Sequence, residues 1–185
     1  MEIIETKRLL LRSWCEDDAA DFYEYASDPA LGPSAGWAPH FNREISLCIL
    51  RRYIADDDTW AVSLKDGGKV IGCIGFHRDV IRPYDGVRML GFVLNRGFWG
   101  SGYMTEAAQA VFEFGFDKMA LELVTAYHYS FNARSKRVIE KLGFASEGIL
   151  RAAATLHDGT VTDRCCYSMS ADEYKLGKLH GRIVG

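Results

Sequence analysis

The sequence predicts an α/β fold, one mixed sheet with helices on both faces. Three observations predict it. Apolar residues alternate with a period of two in some stretches and recur every three to four residues in others. The order of these stretches is two early helices, a meander, and then β-α-β-α-β-β. A glycine-rich junction also joins an apolar strand directly to an amphipathic helix. At 185 residues the chain suits one domain (1–185), able to bury about 70% of its unfolded surface.

The elements follow in order. Residues 6–13 read as a strand, Leu9 to Leu11 being flanked by Lys7, Arg8 and Arg12. Glu16, Asp17 and Asp18 suit the positive end of a helix whose face is Ala19, Phe22, Tyr23 and Ala26; Asp28-Pro29 ends it. Residues 30–41 read as a loop bearing Trp37 and Phe41, and 43–54 as a second helix. Residues 60–64 and 69–76 form an antiparallel pair around Asp66-Gly67-Gly68. After a polar loop over 78–86, residues 87–94 form an apolar strand. The following helix carries Met104, Ala107, Ala108, Val111, Phe112, Gly115 and Met119 on one face, to about Lys118. Residues 122–129 form a strand, and Asn132 caps a short helix that ends at Gly143. A hairpin pairs 144–156 with 161–169 across His157-Asp158-Gly159. Residues 171–185, basic and glycine-interrupted, read as a frayed tail.

Composition narrows the function. Hydrophobic content is 48%, charged content 25% and net charge −3, which speaks against nucleic-acid binding through a basic face. The sequence has no apolar run of membrane-spanning length and no signal-peptide core at its N-terminus, so a cytoplasmic protein away from membranes is expected. Five cysteines, without metal-ligand spacing, read as thiols in a reducing compartment; no metal is expected.

The chemistry concentrates in residues 94–106. Gly97, Gly100 and Gly102 separate the strand from the helix, and a strand, a glycine turn and a helix start make an anion site. A Walker A loop would need Lys and then Ser or Thr after Gly102, but Tyr103 and Met104 stand there. A dinucleotide fingerprint would need Gly or Ala at position 105, which is Thr. A tight βα turn without a ligand is the remaining plain reading. Trp99-Gly100-Ser101-Gly102-Tyr103-Met104-Thr105-Glu106-Ala107 resembles the pyrophosphate loop of the GNAT acetyltransferases, in the RimJ/RimL-like branch that acetylates ribosomal-protein N-termini. Residues 6–12, Asn132-Ala-Arg-Ser135 with Glu140-Lys-Leu-Gly-Phe144, and Glu147-Gly148-x-Leu150-Arg151 with Asp163 resemble that branch's other signatures, in the same order.

The resemblance implies a GNAT fold with a mostly antiparallel sheet, acetyl-CoA as donor, and direct transfer to an amine. It implies that the backbone of Phe92, Val93 and Leu94 holds the pantetheine arm and supplies the oxyanion donor. Gly97, Trp99, Gly100, Ser101, Gly102 and Tyr103 would hold the pyrophosphate, and Asn132 and Ser135 the arm near the sulfur. Asn132 and Ser135 have a plainer reading too, as helix cap and first-turn residue. Trp37, His40, Phe41 and Tyr84 stand on loops where relatives build the acceptor pocket. Relatives are commonly dimers, which suggests a homodimer. Ile139 replaces a tyrosine that protonates the thiolate in many relatives, leaving Ser135 as the catalytic acid. Met89 and Ala152 to Ala154 offer no carboxylate where relatives often carry a base. Glu106 reads as a dipole partner, Glu147 and Asp163 as partners of arginines, and His77, His128 and His157 as isolated candidates for a base.

Without a strong base the acceptor matters. Deprotonating a lysine-type amine at pH 7 costs roughly 4–5 kcal/mol, an α-amine only about 1–1.4 kcal/mol. The latter proton can leave through an ordered water. A protein or peptide N-terminus is therefore the favoured acceptor, with a small amine such as a polyamine or aminoglycoside as the alternative. A non-catalytic acyl-CoA-binding module is the alternative outside enzymes. The acidic first half of the chain offers either steering of a cationic substrate or a solvated helix face.

Overall fold

The computed structural model describes residues 1–179. One eight-stranded sheet contains β1 (Ile4–Glu5), β2 (Leu9–Arg12), β3 (Thr59–Leu64), β4 (Val70–His77), β5 (Val87–Leu94), β6 (Leu123–Tyr129), β7 (Ala145–Thr155) and β8 (Val161–Ser170). Their spatial order is β1-β2-β3-β4-β5-β6-β8-β7. Neighbours are antiparallel throughout, except the central pair β5 and β6.

Alternation along the strands sends side chains to two apolar layers. On one face, Leu9, Leu11, Ile74, Phe76 and Leu90 pack against helix α4 (Tyr103–Asp117) and helix α5 (Ala133–Lys141). On the other, Ala61, Val70 and Cys73 pack against α1 (Ala19–Ala26) and α3 (Arg43–Asp56) through Phe22, Tyr25 and Leu50. α4 buries Met104, Ala107, Ala108, Val111, Phe112 and Gly115, as its period predicts, and adds Phe116. It ends at Asp117, so Met119 lies beyond it, 41% exposed.

Four local expectations change. The strand over 6–13 is confined to β2 (Leu9–Arg12), and the turn over 6–8 that joins it to the short β1 is where Thr6 and Arg8 bind Glu106. The first helix opens with a 3-10 turn, Glu16–Asp18. The loop over 30–41 contains helix α2 (Gly32–Ala35), in which Pro33 takes an early position needing no N–H donor. Residues 171–179 are not frayed: helix α6 (Ala171–Leu179) docks through buried Tyr174, stacked on Phe116 at 4.7 Å. The rest of the expected tail, 180–185, lies outside the described residues. No helix among those described is long and apolar enough to cross a membrane.

Candidate active site

β5 and β6 are paired only over Val87–Leu123, Arg88–Val124 and Met89–Thr125. Beyond Met89 they part, while β5 continues to Leu94 against β4. The phase of that ladder decides which backbone groups face the gap. Asn95 N–H bonds to Ile71 O at 2.7 Å, one step past the Leu94–Gly72 pair. Odd-numbered residues of β5 therefore bond to β4, and even-numbered ones turn toward β6. Phe92 thus presents its N–H and C=O to the opening. Val93 points its backbone at β4, and the Leu94 carbonyl accepts from Trp99 Nε1 at 2.8 Å. Of the three residues expected to hold the donor arm, only Phe92 has both backbone groups available.

The fork widens into a cleft of about 900 Å3 that draws side chains from both faces of the sheet. At one end stands the glycine loop. Asn95 Oδ1 accepts from Gly97 N–H, fixing a 3-10 turn, and Asn95 Nδ2 donates to Glu24. Gly102 then turns the chain into α4 with φ +79° and no side-chain cap. The Gly102 carbonyl accepts from Glu106 N–H, so the N–H groups of Tyr103, Met104 and Thr105 have no partner within the helix. Gly100, Gly102 and Tyr103 to Thr105 line the cleft. Gly97 and Ser101 do not: Gly97 serves the turn before it, and Ser101 O accepts from Arg8 Nη1 at 2.9 Å.

Glu106 bolts this loop to the sheet. Its carboxylate accepts from Thr6 Oγ1, from Arg8 N–H at 2.8 Å and from Arg8 Nε at 2.6 Å. Burial opposes its charge, but these donors outweigh that and hold its carboxyl below the usual range. The Arg8 guanidinium also lies 4.2 Å from the Tyr103 ring centre.

On the far wall, Asn132 Oδ1 caps α5 by accepting from Ser135 N–H at 3.1 Å, and its Nδ2 donates to Ser34 O at 2.8 Å. The cap leaves one amide proton of Asn132 and the Ser135 hydroxyl for a guest. Both residues line the cleft, as does Trp37. Ile139 is fully buried in the core. Phe41 and Tyr84 do not reach the cleft, being 87% and 56% exposed, and His40 is buried against Phe22 and Ser46.

Other polar groups near the fork have set partners. Asp79 is fully buried and accepts from Thr125 Oγ1, Tyr127 OH, Ile81 N–H and Arg82 N–H. Desolvation opposes its ionisation, yet these donors keep its carboxyl below the ordinary value. Tyr127 is pushed up to about 12 by burial and by that carboxylate. Glu147 pairs with Arg82 at 2.7 Å. Asp163 binds the backbone of Ala152, at a bulge with φ +51°, rather than an arginine. His128 engages both ring nitrogens, with Tyr129 O and Tyr167 OH, and His157 sits exposed in its turn. The acids of the first half are largely occupied: Glu16 with Arg51, Asp18 with Arg12, Asp21 and Glu24 with Lys69, and Asp28 with Arg96.

Sequence reasoning missed the charge of the cleft. Arg134, Arg137, Lys141 and Arg164 line it, and among the described residues no Asp or Glu does. Arg134 is stacked on Trp99 at 4.2 Å.

The family model described as "Acetyltransferase (GNAT) domain" matches residues 8–145. The N-acetyltransferase YnaD of Bacillus subtilis, itself uncharacterised, is 33% identical over 153 residues, covering 80% of this chain and 85% of the relative. The crystal structure of a GNAT-family acetyltransferase from Bacillus anthracis superposes with a TM-score of 0.84 at 26% identity, covering 93% of this chain and 100% of that one. A ribosomal-protein-S5-alanine acetyltransferase from Vibrio fischeri shares the fold with a TM-score of 0.76 at 21% identity, over 94% and 99% of the two chains.

Proposed function

The chain belongs to the GNAT acetyltransferases, and from that premise we propose that its acceptor is the N-terminal α-amine of a protein or peptide, as in the RimJ/RimL-like branch. The observation that carries this reading is the acid-free cleft. A polyamine or aminoglycoside brings several ammonium groups and would meet Arg134, Arg137, Lys141 and Arg164 without a countercharge. A peptide terminus brings one amine that is nearly half neutral close to its pKa of about 7.7–8.0.

Acetyl-CoA supplies the acetyl group as an activated thioester. The chain's own groups match the parts of that task. The N–H groups of Tyr103 to Thr105, with the positive end of α4 behind them, suit a pyrophosphate. Phe92 N–H suits the oxygen on which negative charge develops. Asn132 has one amide proton left for the donor arm, and the Ser135 hydroxyl, which lines the same cleft, would give a proton to the departing sulfur. α2 is tied to α5 through Ser34 and Asn132, and its Ser34 and Ala35 line the cleft beside Trp37.

The test uses two short peptides, one with a blocked N-terminus and a free lysine, the other the reverse. Acetylation of the free N-terminus at pH 7 should exceed that of the lysine by well over tenfold. Preference for the lysine peptide, or for a polyamine offered in parallel, would overturn the assignment.

A further inference from the structure

One more polar pair lies at the fork, and one of its members, His77, lines the cleft. His77 ends β4 opposite Met89, at the point where β5 and β6 part. Its Nδ1 lies 3.3 Å from Asp58 Oδ2. The other oxygen of Asp58 accepts from Thr59 Oγ1 at 2.8 Å. Asp58 O also accepts from Phe76 N–H at 3.2 Å, so both backbone and side chain fix the carboxylate. A carboxylate can only accept, so it selects the tautomer with hydrogen on Nδ1 and leaves Nε2 as a lone-pair acceptor. Among the described residues Nε2 has no hydrogen-bond partner, unlike the ring nitrogens of His128.

Two glycines make room for the pair, Gly91 under the ring and Gly75 under the corner that carries the carboxylate. A Cβ built on Gly91 would stand 2.9 Å from His77 Cδ2 and 3.0 Å from Nε2. The imidazole therefore lies over the Gly91 backbone, one residue from Phe92 N–H, and it lines the cleft. A Cβ on Gly75 would come within 2.4 Å of Asp58 O and 2.9 Å of Thr59 Oγ1, so Gly75 admits the corner that carries the carboxylate.

We propose that His77 is the general base of the transfer, oriented by Asp58. This deepens the acceptor assignment above and rests on it. As the amine nitrogen bonds the acetyl carbon, one of its protons passes to His77 Nε2. The carbon–sulfur bond breaks with its electron pair going to sulfur, which takes a proton relayed from solvent through Ser135. His77 then releases its proton to solvent. An imidazole is matched to an α-amine and poorly matched to a lysine, so the base and the acceptor class agree.

The experiment has two parts. In wild-type protein, nitrogen-15 NMR of the imidazoles should find the neutral His77 ring protonated at Nδ1; the opposite tautomer would overturn the proposal whatever the acceptor. In kinetics on the best peptide, His77→Ala and His77→Gln should each lower kcat by about a hundredfold, with calorimetric acetyl-CoA affinity within threefold of wild type. Added imidazole should restore part of the His77→Ala rate. Asp58→Asn should lower kcat less, and Gly91→Ala, which displaces the ring, should resemble His77→Gln. Variants with wild-type kcat, or a folded His77→Ala protein whose loss imidazole does not relieve, would overturn it. A wild-type enzyme that ignores peptides but acetylates another amine fails the acceptor assignment alone, and the His77 variants are then measured on that amine.

Discussion

Gly102 holds a φ of +79° at the start of α4, while a Cβ there would meet only Arg8 Nη2, at 3.5 Å. The constraint is in the dihedral rather than in crowding. Gly102→Val forces a β-branched residue into the left-handed region, at a cost of about 1–2 kcal/mol, or tilts the first turn of α4. Its acetyl-CoA Kd should rise more than tenfold by calorimetry. Gly97→Ala makes the control: it has no left-handed backbone, and its new Cβ would sit 3.5 Å from Asn95 Oδ1, an ordinary contact. Binding should stay within threefold, and a tenfold loss would show that Gly97 touches the donor after all. Ser135→Ala removes a hydroxyl while the cap survives, because Asn132 binds the Ser135 backbone. Stopped-turnover assays should show kcat reduced and donor affinity unchanged; normal turnover would assign sulfur protonation to solvent.

Between elements, the Glu106 bolt does what no single element does for itself. It spans the break between β1 and β2 and the first turn of α4, so the helix start is held against the sheet from outside the cleft. Glu106→Gln keeps the shape but loses the ionic bond to Arg8 and one acceptor position. Stability should fall by about 1–2 kcal/mol in urea titrations, and donor affinity should fall with it as the loop loosens. A variant that is less stable yet binds acetyl-CoA normally would separate the bolt from the binding loop. This contact also marks where the sequence was hard to read. Residues 6–13 look like one strand because the partner that holds 6–8 in a turn is a carboxylate about a hundred positions away. α4, by contrast, was legible almost to its end, since its period and its glycine entry are local. α6 was hidden because its anchor is tertiary: Tyr174 finds Phe112 and Phe116, and the basic residues around it say nothing of that. Phe41 and Tyr84 were assigned to the acceptor pocket by loop position alone, and loop position does not fix which way an aromatic side chain turns. His77 was visible as a lone histidine, but its meaning depends on Asp58 and Gly91, which only strand register brings to it.

Across the whole molecule, three partly or fully buried carboxylates, Asp18, Asp79 and Glu106, hold pKa values below their usual range. Desolvation acts against each, and hydrogen bonds from arginine, threonine, tyrosine or backbone donors win. Unfolded carboxyls titrate near 3.9–4.3. The stabilisation is thus complete above that range and is lost as pH falls through the lower folded values. Thermal midpoints should be flat near neutrality and fall steeply below about pH 4. Asp79→Asn should shallow that fall, and an unchanged acid slope in a folded Asp79→Asn protein would remove Asp79 from the account. That residue is also the least legible of the three in the sequence, because nothing around position 79 reveals that Thr125 and Tyr127 converge on it.

The three-residue pairing of β5 with β6 has a further consequence, for cooperativity. Strands β1 to β5 form one ladder, and β6, β8 and β7 another, joined by three backbone pairs together with the packing beneath them. Such a seam is where two cooperative units meet. In native-state hydrogen exchange, amides of β6 and β8 should open with a free energy different from those of β3 and β4. The Phe92 amide, at the tip of the seam, should exchange faster than Val93 beside it. With acetyl-CoA present, the two opening energies should converge and the Phe92 amide should slow more than any other in β5. Uniform exchange across both ladders in the free protein would mean that the packing of α4 and α5 alone welds the halves together.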